Sequence, residues 1–277
     1  MIMNDALWNL PFMSTKAYCQ FTELAKACET YRYIGVCHGK PGVGKTFSAK
    51  KYAAWEPLLS YRFFGKSNEE IDVDALKMCK SVFYTATVAN TPKSLGHDLY
   101  LKLFQMGQSR IYLQELEIGR ESDMETRYNN AHKYCPLVIV DEADRLSLKS
   151  LEELRDQYDK SGFGLILLGM PGLEKRLSRY PQLYSRIGFV HEFKPLGNDE
   201  MRFLFEKQYL ELGKIMNSND FTDVEAMNAI MRITQGNFRL LDRLLCQIKR
   251  IMQINTLEKV TLDLVEVAKN CLVIGSA

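Results

Sequence analysis

Two short stretches carry residue types and spacings that do phosphate chemistry. The first is GKPGVGKT, residues 39 to 46, with the spacing G-x-x-x-x-G-K-[ST]. Such a loop curls backbone amides around phosphate oxygens, and Gly39, Gly42 and Gly44 occupy positions where a side chain would obstruct the turn. Lys40, Pro41, Val43 and Phe47 complete the segment expected to wrap the nucleotide. Lys45 supplies charge to the terminal phosphates, and Thr46 offers a hydroxyl to Mg²⁺. The second stretch is LVIVDEAD, residues 137 to 144, an apolar run ending in two successive acids. At such a strand end Asp141 is expected to hold the Mg²⁺ shell, and Glu142 to orient and polarise an attacking water. Together the two stretches predict binding and hydrolysis of a nucleotide with Mg²⁺ as cofactor.

The elements around them fit that use. YIGVC reads as a strand feeding the glycine-rich loop, and FSAKKYAAW as a helix whose positive N-terminal end faces the anion. Upstream, STKAYCQFTELAKACETY has Tyr18, Phe21, Leu24, Ala25 and Cys28 on one helical face. Strands are expected around YRFF and SVFYTATV, followed by a helix with Leu95, Leu99, Leu103 and Phe104 on its apolar side. A separate charged helical stretch, QELEIGRESDMETRYNNAHKY, leads to LVIVDEAD. GLILLG and FVHEF supply two further strands. Strands and helices alternate as in a parallel sheet covered on both faces. After Pro195 the pattern holds helices only: GNDEMRFLFEKQYLELG, DVEAMNAIMRIT, NFRLLDRLLCQIKRIMQ and TLDLVEVAKNCL. The expected organisation is an N-terminal helical extension over 1–32, an α/β nucleotide-binding domain over 33–195 and a small all-helical lid domain over 196–277.

Bulk composition narrows the class. The chain has 277 residues, 46% hydrophobic and 25% charged, with a formal net charge of +2, which describes a globular protein without a global basic field. Contact with nucleic acid must therefore come from a local patch. The seven cysteines are scattered without a C-x-x-C pair, which fits a reducing compartment. The apolar stretches are far short of a membrane span, and the N-terminus lacks a basic, cleavable signal. These features predict a cytoplasmic protein without a membrane partner.

Three arginine-bearing segments bear on assembly. LSRYPQLYSRIGF places Arg186 just before FVHEF, where an arginine can reach out of its own subunit, with Arg176 and Arg179 as competitors. Entering a neighbour's site, it would stabilise charge on the transferring phosphoryl group, an effect of about 10³ to 10⁵ in rate in arginine-finger systems. GNFRLL puts Arg239 at a helix start after a glycine, positioned to fold over the γ-phosphate. Arg243, one turn later, reads as solvated.

With these segments assembled, the chain resembles the AAA+ ATPases from Tyr33 to Leu272. GKPGVGKT resembles Walker A, VIVDEAD Walker B, YSRIGF the arginine-finger segment and QGNFRLL the sensor 2 segment. The DEAD letters do not make a DEAD-box helicase, whose second nucleotide-clasping domain the helical tail leaves no room for. Within AAA+, the stretch LGMPGLEKRLSRYPQLYSRIGFVHEFKPL, the short length and the four-helix lid are most similar to transposition regulators of the TnsC, TniB and MuB type, with IstB more distant. The resemblance implies an ATP-dependent oligomer, ring or filament, that encircles duplex DNA and recruits a transposase. One position departs from the pattern: Met170 stands after GLILLG where a polar sensor 1 residue is expected. A thioether is a poor partner for water, so slow hydrolysis follows.

Support for DNA contact from the residues themselves is local. TPKSLGH opens a helix at Thr91, Lys93 and Ser94, where side chains and amides suit phosphate contact. Lys149 and Ser150 are candidates for the same surface. In an oligomer each subunit need supply only a few contacts. The rival readings are a helicase loader or DNA-repair ATPase of the same fold, and a P-loop signalling switch that gates assembly without DNA. The N-terminal LWNLPFM is read as a packing arm rather than a partner-docking peptide.

Overall fold

Three of the strands are almost wholly apolar and buried, as a parallel sheet covered on both faces requires. In the computed structural model, which describes residues 12–60, 72–123, 125, 131–208 and 221–272, these are β1 (Ile34–His38), β3 (Leu137–Asp141) and β4 (Gly164–Gly169). They are joined by β2 (Val82–Thr85) and β5 (Ile187–Glu192). All pairings are parallel, in the order β2-β3-β4-β1-β5. β5 lies at one edge, and its residues alternate between half-buried and exposed. The strand expected around YRFF lies outside the described residues.

The order matters more than the count. Because β4 lies between β1 and β3, chain segments far apart in sequence leave the same edge of the sheet side by side. Parallel strands all end on that edge, and the crevice where the chain direction of travel divides is where ligands bind in open α/β sheets.

Helices pack the sheet. α1 (Lys16–Tyr31) buries Phe21, Leu24, Ala25 and Cys28, the face that the sequence periodicity marks apart from the half-buried Tyr18. Its fit is close: a Cβ on Gly164 would lie 2.3 Å from the Cys28 carbonyl oxygen. α2 (Lys45–Ala53), α3 (Glu56–Ser60) and α4 (Val73–Met78) follow β1. α5 runs from Pro92 to Ile118 as one helix, started by a capping box between Thr91 and Ser94 and stopped at Gly119 in the left-handed region. The sequence reading divided this segment, assigning its last residues to a second, charged helix. The charged residues QELE instead continue α5, which ends only where Gly119 closes it. Residues 131 to 134 form a 3₁₀ turn. α6 (Leu148–Ser161) is capped by Ser147 and ends at Gly162. Two short helices, α7 (Leu173–Leu177) and α8 (Pro181–Tyr184), precede β5.

The remaining described elements are helices: α9 (Asn198–Gln208), α10 (Phe221–Thr234), α11 (Phe238–Asn255) and α12 (Leu262–Asn270). Met201, Ile230, Leu244, Leu245, Ile248 and Val265 are among the buried residues that form their common core. The chain divides into two compact units. One is Ala17–Gly39 with Lys45–Phe193; the other is the described part of Met1–Lys16, with Lys40–Gly44 and Lys194–Ala277. Among the described residues no helix is long and apolar enough to cross a membrane.

Candidate nucleotide site

The sheet unit brings Lys45, Thr46, Asp141 and Glu142 to the ends of β1 and β3. Lys45 opens α2, and its Nζ donates to the carbonyl of Gly39 at 2.5 Å. Thr46 Oγ1 donates to Asp141 Oδ2 at 2.8 Å, bringing together the two side chains read as the Mg²⁺ ligands. Asp141 is 3% exposed. Burial pushes its carboxyl above the usual range, while hydrogen bonds from the Thr46 hydroxyl and the Glu142 amide favour the charged form. A hydroxyl and a carboxylate are the oxygen ligands a hard cation such as Mg²⁺ accepts, usually with substrate phosphates and water completing the shell.

Glu142 follows in a left-handed conformation, φ 55°, which is uncommon for a residue with a side chain and concentrates at functional sites. Its amide donates to Asp141 Oδ1 at 2.9 Å, and its carboxylate lies 3.8 Å from the Arg145 guanidinium. The chain then turns through a short 3₁₀ segment, Ala143–Arg145. Asp144 reaches the end of β4, where its Oδ2 accepts from the Met170 amide at 2.6 Å. Gly169 must lack a side chain here, because a Cβ would approach that oxygen to 2.4 Å. Met170 itself is 38% exposed, so its thioether stands at the β4 end as the sequence places it.

Within the second unit, loop residues meet the start of α11. Asn237 caps that helix by accepting from the Leu240 amide at 3.1 Å, and its Nδ2 donates to the Pro41 carbonyl at 2.9 Å. The Arg239 amide donates to the Gly42 carbonyl at 3.2 Å. Gly42 adopts φ 82°, and a Cβ there would strike Asn237 Oδ1 at 2.3 Å. Gly44 is also left-handed, at φ 92°; Gly39 is not among the positive-φ glycines. The Arg239 side chain is exposed.

The arginines near β5 differ in their partners. Arg186 forms a two-toothed pair with Asp159, Nε to Oδ1 at 2.8 Å and Nη2 to Oδ2 at 3.0 Å, and its Nη1 donates to the Gln182 carbonyl. Arg176 is spent on its own chain, donating to the carbonyls of Asp144 and Leu146. Arg179 is exposed.

Among the residues read as DNA contacts, Thr91 and Ser94 are exposed but exchange hydrogen bonds with each other in the capping box. Lys93 and Lys149 are exposed. Ser150 is a correction: it is fully buried, and its hydroxyl is engaged by Asn90 and Ser147. It sits on the inward face of the first turn of α6, which the sequence pattern did not reveal.

Sequence reasoning missed Asn90, Asp144, Arg145 and Asn237. Asn237 was detectable as a helix cap, since an asparagine before FRLL fits that position. For Arg145 and Asn90 no sequence signal existed, because both act by reaching across strands.

Residues 28–177 match the family model described as an AAA domain. The chain belongs to this AAA domain family, and its fold is that of the AAA+ P-loop ATPases. A curated relative from Staphylococcus aureus, described as a potential ATP-binding protein, is 44% identical over 96% of this chain and 98% of its own length. The Mu-like prophage FluMu DNA transposition protein B of Haemophilus influenzae is 23% identical over 83% of this chain and 70% of its own. Among solved structures, the Aeropyrum pernix ORC2 protein in its ADPNP-ADP complexes superposes with a TM-score of 0.59, 15% identity, 99% of this chain and 73% of that one.

Proposed function

We propose that this protein is an ATPase that oligomerises on duplex DNA in its ATP state and regulates a transposase at the target site. The observation that carries the ATPase part is the hydrogen bond from Thr46 to Asp141 beside Lys45 and Glu142. Lys45 binds the terminal phosphates, Thr46 and Asp141 hold Mg²⁺, and Glu142 takes a proton from the attacking water. Mg²⁺ supplies charge neutralisation on the phosphate oxygens. The water oxygen bonds the γ-phosphorus as the β,γ-bridging bond breaks and ADP leaves. Met170, apolar at the β4 end, makes this turnover slow.

Similarity to a DNA transposition protein supports the DNA and transposase part, as does the exposed pair Lys93 and Lys149. Arg239 contributes to the γ-phosphate end, and Arg186 acts on the nucleotide of an adjoining subunit, which requires it to exchange Asp159 for phosphate. The alternative, a helicase loader or repair ATPase, shares every nucleotide residue and differs in partner.

A gel shift with duplex DNA and ATP, ADP or no nucleotide tests the reading. Retardation with ATP alone is expected, and equal mobility in all three conditions would defeat it. Pulldown with a transposase or a replicative helicase then separates the two partner classes.

A further inference from the structure

We propose that Arg145 is a positioning residue for hydrolysis, setting the Glu142 carboxylate to take a proton from the attacking water; this rests on the hydrolytic role of Glu142 given above. Arg145 is held through its backbone and through one guanidinium nitrogen, while another faces Glu142. Its amide donates to the Glu142 carbonyl at 2.9 Å. Its own carbonyl accepts from Asn90 Nδ2 at 3.0 Å. Nη1 donates to the Ala86 carbonyl, just past β2, at 3.0 Å. Ala86 in turn donates its amide to the Asp141 carbonyl at 2.9 Å, so the guanidinium is anchored to the strand pair that carries the acids.

Asn90 is itself locked. Its Nδ2 also donates to the Thr87 carbonyl at 2.9 Å, and its Oδ1 accepts from Ser150 at 2.8 Å. The guanidinium thus has a fixed origin, set by three chain segments.

What remains is Nη2, 3.8 Å from Glu142 Oε2. That distance is beyond a hydrogen bond but within reach of charge attraction. The arginine therefore draws the carboxylate to one side without tying up its lone pairs. This suits a general base, which must be oriented yet free to accept a proton. Glu142 adopts its left-handed backbone beside this anchor, and the arginine facing it is held by three hydrogen bonds.

The test uses the full chain, steady-state phosphate release and equilibrium binding of a fluorescent ATP analogue. Arg145→Gln removes the charge and retains an amide for the Ala86 carbonyl. It is expected to lower kcat by about tenfold or more, with KM and analogue affinity within about twofold. Arg145→Lys restores a charge and is expected to recover part of that loss; if the Gln variant does not fold, Lys alone is read, with kcat down about threefold and affinity unchanged. Wild-type kcat in Arg145→Gln, or affinity lost together with kcat in the folded variants, overturns the positioning role. Glu142→Gln is run alongside. If it turns over like the wild type, the hydrolytic reading falls and this role with it. A dead Glu142→Gln beside a fully active Arg145→Gln removes the positioning role alone.

Discussion

The Thr46 hydroxyl and the Asp141 carboxylate are joined by a hydrogen bond of 2.8 Å, tying the start of α2 to the end of β3. Two residues that the sequence separates by most of a domain share one oxygen-rich locus. Asp141 is almost fully buried, so this bond and the Glu142 amide compensate a carboxylate that water cannot reach.

The proposed site puts charge clamping and water activation on different residues, so substitution should separate them. Lys45→Ala should lose ATP affinity, whereas Glu142→Gln should retain binding and stop turnover, a loss of about 10²-fold or more. Isothermal titration with ATP and phosphate-release kinetics check both. Equal loss of binding in the two variants would contradict the assignment.

Met170 stands at the end of β4 with its amide held by Asp144. The side chain can change without disturbing that backbone bond. Met170→Asn should raise the ATPase rate at unchanged ATP affinity, since an amide side chain can hold the attacking water. A rate at or below wild type would mean that water is oriented from another position.

Arg186 is held by Asp159 through two hydrogen bonds. The proposed release of Arg186 toward a neighbouring subunit predicts complementation between inactive variants. Lys45→Ala has an intact Arg186 to offer, and Arg186→Ala has an intact phosphate loop to receive it. A mixture should regain ATPase activity on duplex DNA, measured beside light scattering that reports assembly. Assembly without recovery would transfer the role to Arg179, which is exposed.

His191 on β5 packs edge-on against Phe193, ring centroids 4.7 Å apart. Burial pushes its imidazole below the ordinary value of 6.5, outweighing a hydrogen bond with the Ala17 backbone that favours the charged form. The folded protein therefore resists protonation that the unfolded chain accepts. Above the unfolded value both states are neutral and His191 has no effect; as pH falls through that value, stability is lost, levelling off below the folded pKa. The melting temperature should drop between pH 7.5 and about 5.5, and His191→Gln should shrink that drop. An identical pH dependence in the variant would assign the effect elsewhere.

Legibility in the sequence followed the range of the interactions. The glycine-rich loop, the acid pair after LVIV, the helical face of α1 and the start of α5 are local, encoded by spacing within one turn or one strand. The fold class was readable for the same reason, because apolar strands alternating with helices admit few arrangements. Local signals failed where a segment had no clear stop. The QELE residues continue α5 because no helix-ending residue precedes Gly119, and Gly107, in mid-helix, is buried.

What the chain alone determined, then, was the chemistry of its parts: a lysine and a threonine after one glycine-rich loop, two successive acids at one strand end, a methionine where a polar side chain would serve. Which of them meet was decided by strand order. Inserting β4 between β1 and β3 carries Asp144 to Met170 and Thr46 to Asp141, and pairing β2 with β3 brings Ala86 under Arg145. The same packing turns Ser150 inward and commits Arg186 to Asp159. These outcomes depend on contacts between residues distant in sequence, where no spacing rule operates and only the assembled sheet selects the partner.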